Sequence, residues 1–600
     1  MSEQPSNAGG RTVLPKTGAT GGANTLWGSD VIANALSEQN VPYACLNPGA
    51  SYRGLHDSIV NYLGNKSPKM IVCLHEEHAV GIAHGYAMVT NKPLIAIVHS
   101  NVGLMHASMG VFNVWCNRAP MVLIGATGPV DAMKRRPWID WIHTSADQGA
   151  LVRNYTKWDD QPASPGAAVE SIRRAFQISL TRPFGPTYIN LDAAIQEMPL
   201  DEAPKMEPVK RFGPAPDLEP PRSLVEAAVK AISQAKNPLI LSGRCLRTED
   251  GWKDRVELAE WTGARVITSS KDPASFPSTH PNYAGEIPWR LRPNILELVK
   301  NSDCVIALDW LDVGGTINQA FPPGSGKTPV VINVTNDHLI HNGWSMDYQI
   351  LPATDIWLPV TSEAGVTALL EGLAKANVAR KPKGSRTVPK VAPPEKKSGA
   401  YGVADLARLF AIAAEGEQIS IICRSLGWPP NANTILHPLD MLGSNGGGGL
   451  AAGPSMAVGA ALAIRDHHPG RIPVAILGDG DYMMGSGALW SASNQGIPLL
   501  LIIANNRSYF NDEEHQRHIA HDRHRPEENA HVGQRIEGPA PDLVAVATAQ
   551  GGWEGEHVAN IEDVPAALKR GIEAVKNGKR WIIDAIVAPE YVRRPLVEHI

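Results

Sequence analysis

The chain has 600 residues, which at about 150–200 residues per domain means three or four domains. Its 43% hydrophobic and 19% charged content place it among globular proteins, and a formal net charge of −5 argues against nucleic acid as the main partner. No run of 18 apolar residues occurs, so no membrane span is predicted. The six cysteines, Cys45, Cys73, Cys116, Cys245, Cys304 and Cys423, are scattered and form no CxxC pair. They read as buried thiols, and the cytoplasm is the default compartment.

Residues 1–23 are rich in Gly, Ser and Thr and read as a disordered lead-in with no signal-peptide core. The first third then alternates short apolar runs, MIVCL (70–74), LIAIV (94–98) and MVLIG (121–125), with helical patterns. It carries NPG at 47–49, the stretch LHEEHAVGIAHGYA from Leu74, and HS at the end of the 94–98 run. Residues 198–222 contain seven prolines and predict an extended linker. The middle third has runs LILSG (239–243), CVIALD (304–309) and VVINV (330–334), with FPSTHP at 276–281. A second linker, rich in Lys, Arg and Pro, is predicted at 377–399. The last third holds the glycine run GSNGGGGLAAGPS from Gly443, then VAILGDGD (474–481) and LLLIIANN (499–506). Strands alternating with helices predict the α/β class: three doubly wound parallel-sheet domains at 24–197, 223–376 and 400–590.

In a parallel sheet, strands deliver their C-terminal ends to one edge, where ligands bind. Asp479 and Asn506 close two such strands and are separated by 27 residues. Both offer hard oxygen donors suited to Mg²⁺, which keeps few protein ligands and takes phosphate oxygens besides. Gly478 and Gly480 allow close backbone approach. The glycine run entering a helix suits an anion at the helix start.

The paired GDG and NN motifs resemble the signature of thiamine-diphosphate-dependent enzymes of the acetolactate synthase, pyruvate oxidase and benzoylformate decarboxylase superfamily. In the first third, LHE followed by VGIAxGYA and a strand ending in HS is similar to benzoylformate decarboxylase. The resemblance implies Asp479, Asn506 and the carbonyl of Ser508 as Mg²⁺ ligands, with Asp481 near the diphosphate. It implies Asn47, Pro48 and Gly49 as the pyrimidine-pocket loop, the carbonyl of Gly448 facing the aminopyrimidine, and Leu450 as the apolar wedge bending the cofactor. It implies Glu76 as the carboxylate that hydrogen-bonds the pyrimidine ring, with Glu77 the neighbour one register away. His99 and His280 match two catalytic histidines. Ala50 stands where relatives carry a serine, so the hydroxyl comes from Ser51 or is absent; Asn101–Val102 also departs from the family pattern.

The activity implied is non-oxidative decarboxylation or carboligation of a 2-oxo acid. The alternatives are a 2-hydroxyacyl-coenzyme A lyase and, in another class, a catalytically silent regulatory paralogue. The resemblance further implies a homodimer or homotetramer with active sites between subunits. FAD or an adenine nucleotide in the central domain stays open, because SGRCLRTEDG (242–251) has no GxGxxG. The segment 511–531, holding His515, His518, His521, His524 and His531, reads as a charged, mobile lid. Trp138 and Trp141 beside Arg135 and Arg136 suit either a substrate gate or a subunit interface.

Overall fold

The computed structural model describes residues 25–287, 291–326, 328–337, 351–381, 391–430 and 432–589. The lead-in 1–23 and the middle of the second linker, 382–390, lie outside the described residues. The α/β expectation holds: three parallel sheets organise three domains. The core of each of the eight apolar runs singled out in the sequence lies in a strand.

The first sheet comprises β1 (Tyr43–Leu46), β2 (Lys69–Val72), β3 (Ile95–Ile97), β4 (Met121–Thr127), β5 (Asp159–Asp160) and β6 (Pro186–Asp192), in the order β2-β1-β3-β4-β6-β5. The order reverses between β1 and β3, which opens a crevice at their C-terminal ends. The NPG loop follows β1 and His99 follows β3, so both stand at this switch point. Helix α1 (Glu76–Thr90) begins where His75 caps it by accepting the Glu77 backbone N–H, and it ends at Asn91 in the left-handed conformation. Helix α2 (Ser100–Cys116) starts one residue after His99.

The central sheet holds β7 (Pro238–Ser242), β8 (Arg265–Ser269), β9 (Tyr283–Ile287), β10 (Cys304–Leu308), β11 (Val330–Val334) and β12 (Ile356–Leu358), ordered β9-β8-β7-β10-β11-β12. Its compact unit takes in the described residues of 216–397 and also 402–444. The Arg424–Glu286 ion pair and the bond from Arg247 Nη2 to the Leu442 carbonyl (2.7 Å) tie the latter stretch in.

The other compact unit joins 25–215 with 398–401 and 445–589. Its second sheet runs β13 (Ile472–Gly478), β14 (Leu499–Asn505), β16 (Arg580–Ile586) and β15 (Trp553–Val558). Helix α3 (Ala452–His467) packs on α1 almost backbone to backbone. A Cβ on Gly81 would sit 1.9 Å from Ser455 Oγ, and one on Gly85 2.0 Å from the Met456 carbonyl oxygen. Only glycine permits that approach, and it sets where α1, and hence Glu76 at its start, stands relative to the glycine run preceding α3. Among the described residues no helix is long and apolar enough to cross a membrane.

Candidate functional site

The strand β13 stops at Gly478, and a helix, α4 (Asp479–Gly485), begins at once. The sequence placed Asp481 on the strand; it lies in the first turn of α4, where acidic residues suit the helix dipole. Asp479 is 3% exposed, and its Oδ2 has no hydrogen-bond partner. Burial pushes its carboxyl up to about 6, against the opposing pull of backbone N–H groups including those of Gly480 and Ser508. Asn506 lies one residue beyond β14, and its Oδ1 accepts the Ser508 N–H at 3.0 Å. Arg507 between them takes φ +55°, so the chain turns back sharply. Asp479, Asn506 and Ser508 therefore meet at one edge of the sheet, as the sequence expected. An orphaned, buried carboxylate oxygen beside an amide oxygen is a donor set that fits a small divalent cation.

Two glycines do different work. A Cβ on Gly478 would meet nothing, so this position is open to a ligand. A Cβ on Gly480 would lie 2.6 Å from the Tyr509 ring. Gly480 thus makes room for the Tyr509 ring on its Cβ side.

The helix start predicted to take an anion already holds one. Asp481 Oδ1 accepts the backbone N–H groups of Ala451 (2.8 Å) and Gly453 (3.4 Å). A Cβ on Gly453 would come within 2.1 Å of Asp481 Oδ2, so the glycine admits the carboxylate. Asp481 acts first as the cap of α3. The preceding loop is held by Asn445 Nδ2 bonding the Gly449 carbonyl (2.8 Å) and by the Gly447 N–H bonding Asn113 Oδ1 (2.9 Å). Gly448 takes φ +79° with open space at its Cβ position, and Leu450 is exposed.

Glu76 is buried at the start of α1. Its Oε2 lies 3.0 Å from His106 Nδ1, and a Cβ on Gly103 would lie 2.9 Å from its Oε1. His75 stacks on His106 at 4.9 Å. The neighbouring Glu77 has a buried Oε1 without a partner, and burial, with Asp481 adding, raises its carboxyl. Sequence reasoning missed His106 and Asn113. Their signal was helical spacing: Gly103, His106, Gly110 and Asn113 recur at three and four residues and share one face of α2.

At the switch point of the first sheet, Asn47 Nδ2 bonds the Cys73 carbonyl (3.0 Å), and the Tyr52 hydroxyl bonds the Asn47 carbonyl. Pro48 and Gly49 line an open groove of about 590 Å³ with Arg53 and His56. Gly49 packs on the His99 ring, where a Cβ would come within 2.3 Å. Ser51 supplies the hydroxyl that Ala50 lacks: its Oγ lies 2.8 Å from His99 Nδ1. His143, which the sequence reading did not single out, has Nδ1 3.2 Å from His99 Nε2. Burial and His143 lower the His99 pKa.

His280 lies in the other compact unit. There its Nδ1 accepts the Asn282 N–H (3.2 Å), its Nε2 lies 3.3 Å from Glu260, and its ring packs on Phe276. In the same unit, Arg244 of the SGRCLRTEDG turn pairs with Asp309 and Asp337, and Gly243 admits the Asp309 carbonyl.

The segment predicted as a mobile lid is largely helical. Residues Phe510–Asp522 form helix α5 and Glu527–His531 a 3₁₀ turn. Glu513, 1% exposed, explains this: it accepts the Ser508 hydroxyl (2.9 Å) and pairs with Arg517 (3.2 Å) and Arg535 (3.5 Å). The Tyr509 N–H to Gln534 carbonyl and Ile536 N–H to Arg507 carbonyl bonds stitch both ends of the excursion to the Asn506 turn.

Three family descriptions match the chain: "Thiamine pyrophosphate enzyme, N-terminal TPP binding domain" over residues 26–151, the central domain over 225–352, and the C-terminal TPP binding domain over 426–585. An acetolactate synthase large subunit from Corynebacterium glutamicum is 24% identical over 99% of this chain and 92% of its own. A benzoylformate decarboxylase from Pseudomonas aeruginosa is 24% identical over 84% of this chain and 90% of its own. The crystal structure of benzoylformate decarboxylase from Polynucleobacter necessarius superposes with TM-score 0.75 at 17% identity, covering 95% of this chain and 100% of that one.

Proposed function

This chain belongs to the thiamine pyrophosphate enzyme family, and from that premise we propose that it is a non-oxidative decarboxylase or carboligase of a 2-oxo acid. The observation that carries the reading is the orphaned Asp479 carboxylate set beside Asn506 and Ser508 at one sheet edge. A silent paralogue has no reason to keep a buried carboxylate oxygen without a partner, which costs roughly 1–3 kcal/mol when left unsatisfied.

Asp479, Asn506 and the Ser508 carbonyl would hold Mg²⁺, and Gly478 leaves room for the diphosphate. Thiamine diphosphate, when bound, supplies the nucleophilic carbon and the electron sink for breaking a bond next to a carbonyl. Glu76, held by His106, would receive the pyrimidine ring. Leu450, exposed ahead of α3, would support the cofactor's bend, and the Gly448 carbonyl would face the ring. His99, with Ser51 on one nitrogen, would hold the proton that the product carbon or oxygen takes up. His280 keeps its place as a second candidate, to be judged by substitution. Catalytic sites shared between two copies are part of the proposal.

The test is a screen of 2-oxo acids for CO₂ release, with and without an aldehyde acceptor, beside calorimetric titration of thiamine diphosphate and Mg²⁺. Asp479→Ala and Asn506→Ala are expected to abolish cofactor binding. Retained affinity in both variants would overturn the metal assignment. Turnover of a 2-hydroxyacyl-coenzyme A without CO₂ release would favour the lyase.

A further inference from the structure

The hydrogen-bond directions around His99 are fixed by the backbone. The Ser51 N–H points at His99 Nδ1 (3.4 Å), and the Ser51 Oγ, which itself accepts the Ser100 N–H (3.2 Å), lies 2.8 Å away. Nδ1 therefore carries a lone pair, and the proton of neutral His99 sits on Nε2, facing His143 Nδ1 at 3.2 Å. The two rings meet edge to face at 4.8 Å. His143 is held in place from several sides. Asn101 Nδ2 donates to the carbonyl of Ile142 (3.2 Å), the residue before it. The Thr144 hydroxyl bonds the Asp140 carbonyl (2.7 Å), and Arg136 pairs with the buried Asp140 (2.8 Å). Asn101, the residue that departs from the family pattern, is thus the anchor of the His143 loop.

Resting on the functional reading above, we propose that His143 is a positioning and proton-supplying partner of His99, forming a directed chain from Ser51 through His99 to His143. The step starts from the pair carrying one proton more than this neutral arrangement: His99 Nδ1 then bears an N–H toward Ser51 Oγ, and a single proton is shared between His99 Nε2 and His143 Nδ1. When the reacting group takes a proton from the Ser51 hydroxyl, Ser51 recovers one from His99 Nδ1, and His143 returns one to His99 Nε2. One proton leaves, no charge is stranded, and the pair is left neutral. The groups acting on His99 are few: His143 and Arg136 lower its pKa, and Glu76 raises it. On its own loop, His143 faces Asp140.

The inference is tested by two variants and two readouts. His143→Asn keeps a hydrogen-bonding group at the Nδ1 position but carries no titratable proton; His143→Gln is the second variant should the first fold poorly. In the full chain with histidine labelled at Cε1 and no cofactor added, the His99 midpoint should rise in His143→Asn, because a neighbouring positive charge is removed. In the loaded enzyme, aldehyde release should fall about 10²-fold more than CO₂ release to an artificial acceptor, as for loss of an acid–base group. An unmoved His99 midpoint overturns the coupling. Full rescue of aldehyde release by asparagine assigns His143 a structural role and overturns the proton supply. A wild-type chain inert toward every 2-oxo acid overturns the functional reading instead, and the titration still decides the pair.

Discussion

Replacing Gly453 by alanine should destabilise the start of α3, although alanine is the better helix former. The new Cβ would stand 2.1 Å from Asp481 Oδ2 and 2.7 Å from Leu477 Cδ2, so the carboxylate must turn away. It then gives up the Ala451 and Gly453 amides. Counting only the 2.8 Å bond from Ala451, since the 3.4 Å contact from Gly453 is at the limit of a hydrogen bond, the loss is about 1.5–3 kcal/mol, and the intrinsic gain from glycine to alanine returns about 0.5–1 kcal/mol. The net loss of about 1–2 kcal/mol should accelerate hydrogen exchange of the first amides of α3 roughly 5- to 30-fold. Local exchange is the right assay, because global unfolding of a multidomain chain yields no single free energy. In an Asp481→Ala background the cap is already gone, so Gly453→Ala should slow the same amides. Acceleration in both backgrounds would refute the steric argument.

His78 is buried on α1, its Nδ1 has no partner, and burial, with His75 adding, holds its pKa down to about 4. The unfolded chain takes up a proton near pH 6.5 and the folded chain does not. Stability should therefore fall as pH drops from about 6.5 to about 4, by at most about 3 kcal/mol. His78→Phe should flatten that acid slope in thermal unfolding, and an unchanged slope would assign it to other groups. If the catalytic site is shared between copies, mixing Glu76→Gln with Asp479→Ala chains through a dissociation and reassociation cycle should restore part of the activity lost in each. Reassociation without recovery would place Glu76 and Asp479 in one chain's site.

The strands were legible because each is a short aliphatic run, six of the eight directly preceded by proline, and burial on both faces demands that composition. The metal edge was legible because its donors sit where two strands end, and strand ends can be read from the same runs. What the sequence did not disclose is how groups distant along the chain consume one another. Nothing in the local pattern around Asp481 says that the amides of Ala451 and Gly453, about thirty residues upstream, bond its carboxylate. Nor does the motif say that Tyr509, about thirty residues on, packs against the Cβ side of Gly480. The excursion at 511–531 looked mobile because its histidines and charges face solvent. Its order comes from the buried Glu513, whose partners Ser508 and Arg535 lie on the two arms of the turn.

The histidines show the same limit more sharply. His99 was found from its place at a strand end and His280 from its flanking motif, yet neither position says what meets the ring nitrogens. Both nitrogens of His280 are engaged within its own unit, by Glu260 and the Asn282 amide. His99 has one nitrogen toward Ser51 and the other toward His143. A histidine whose partners are a carboxylate and a backbone amide is steadied by them. One whose partners are a hydroxyl and a second imidazole can accept a proton at one nitrogen while releasing one at the other. On the proposed reading, that difference in partners, which no local motif carries, makes the edge of the first sheet the place where this chain moves protons.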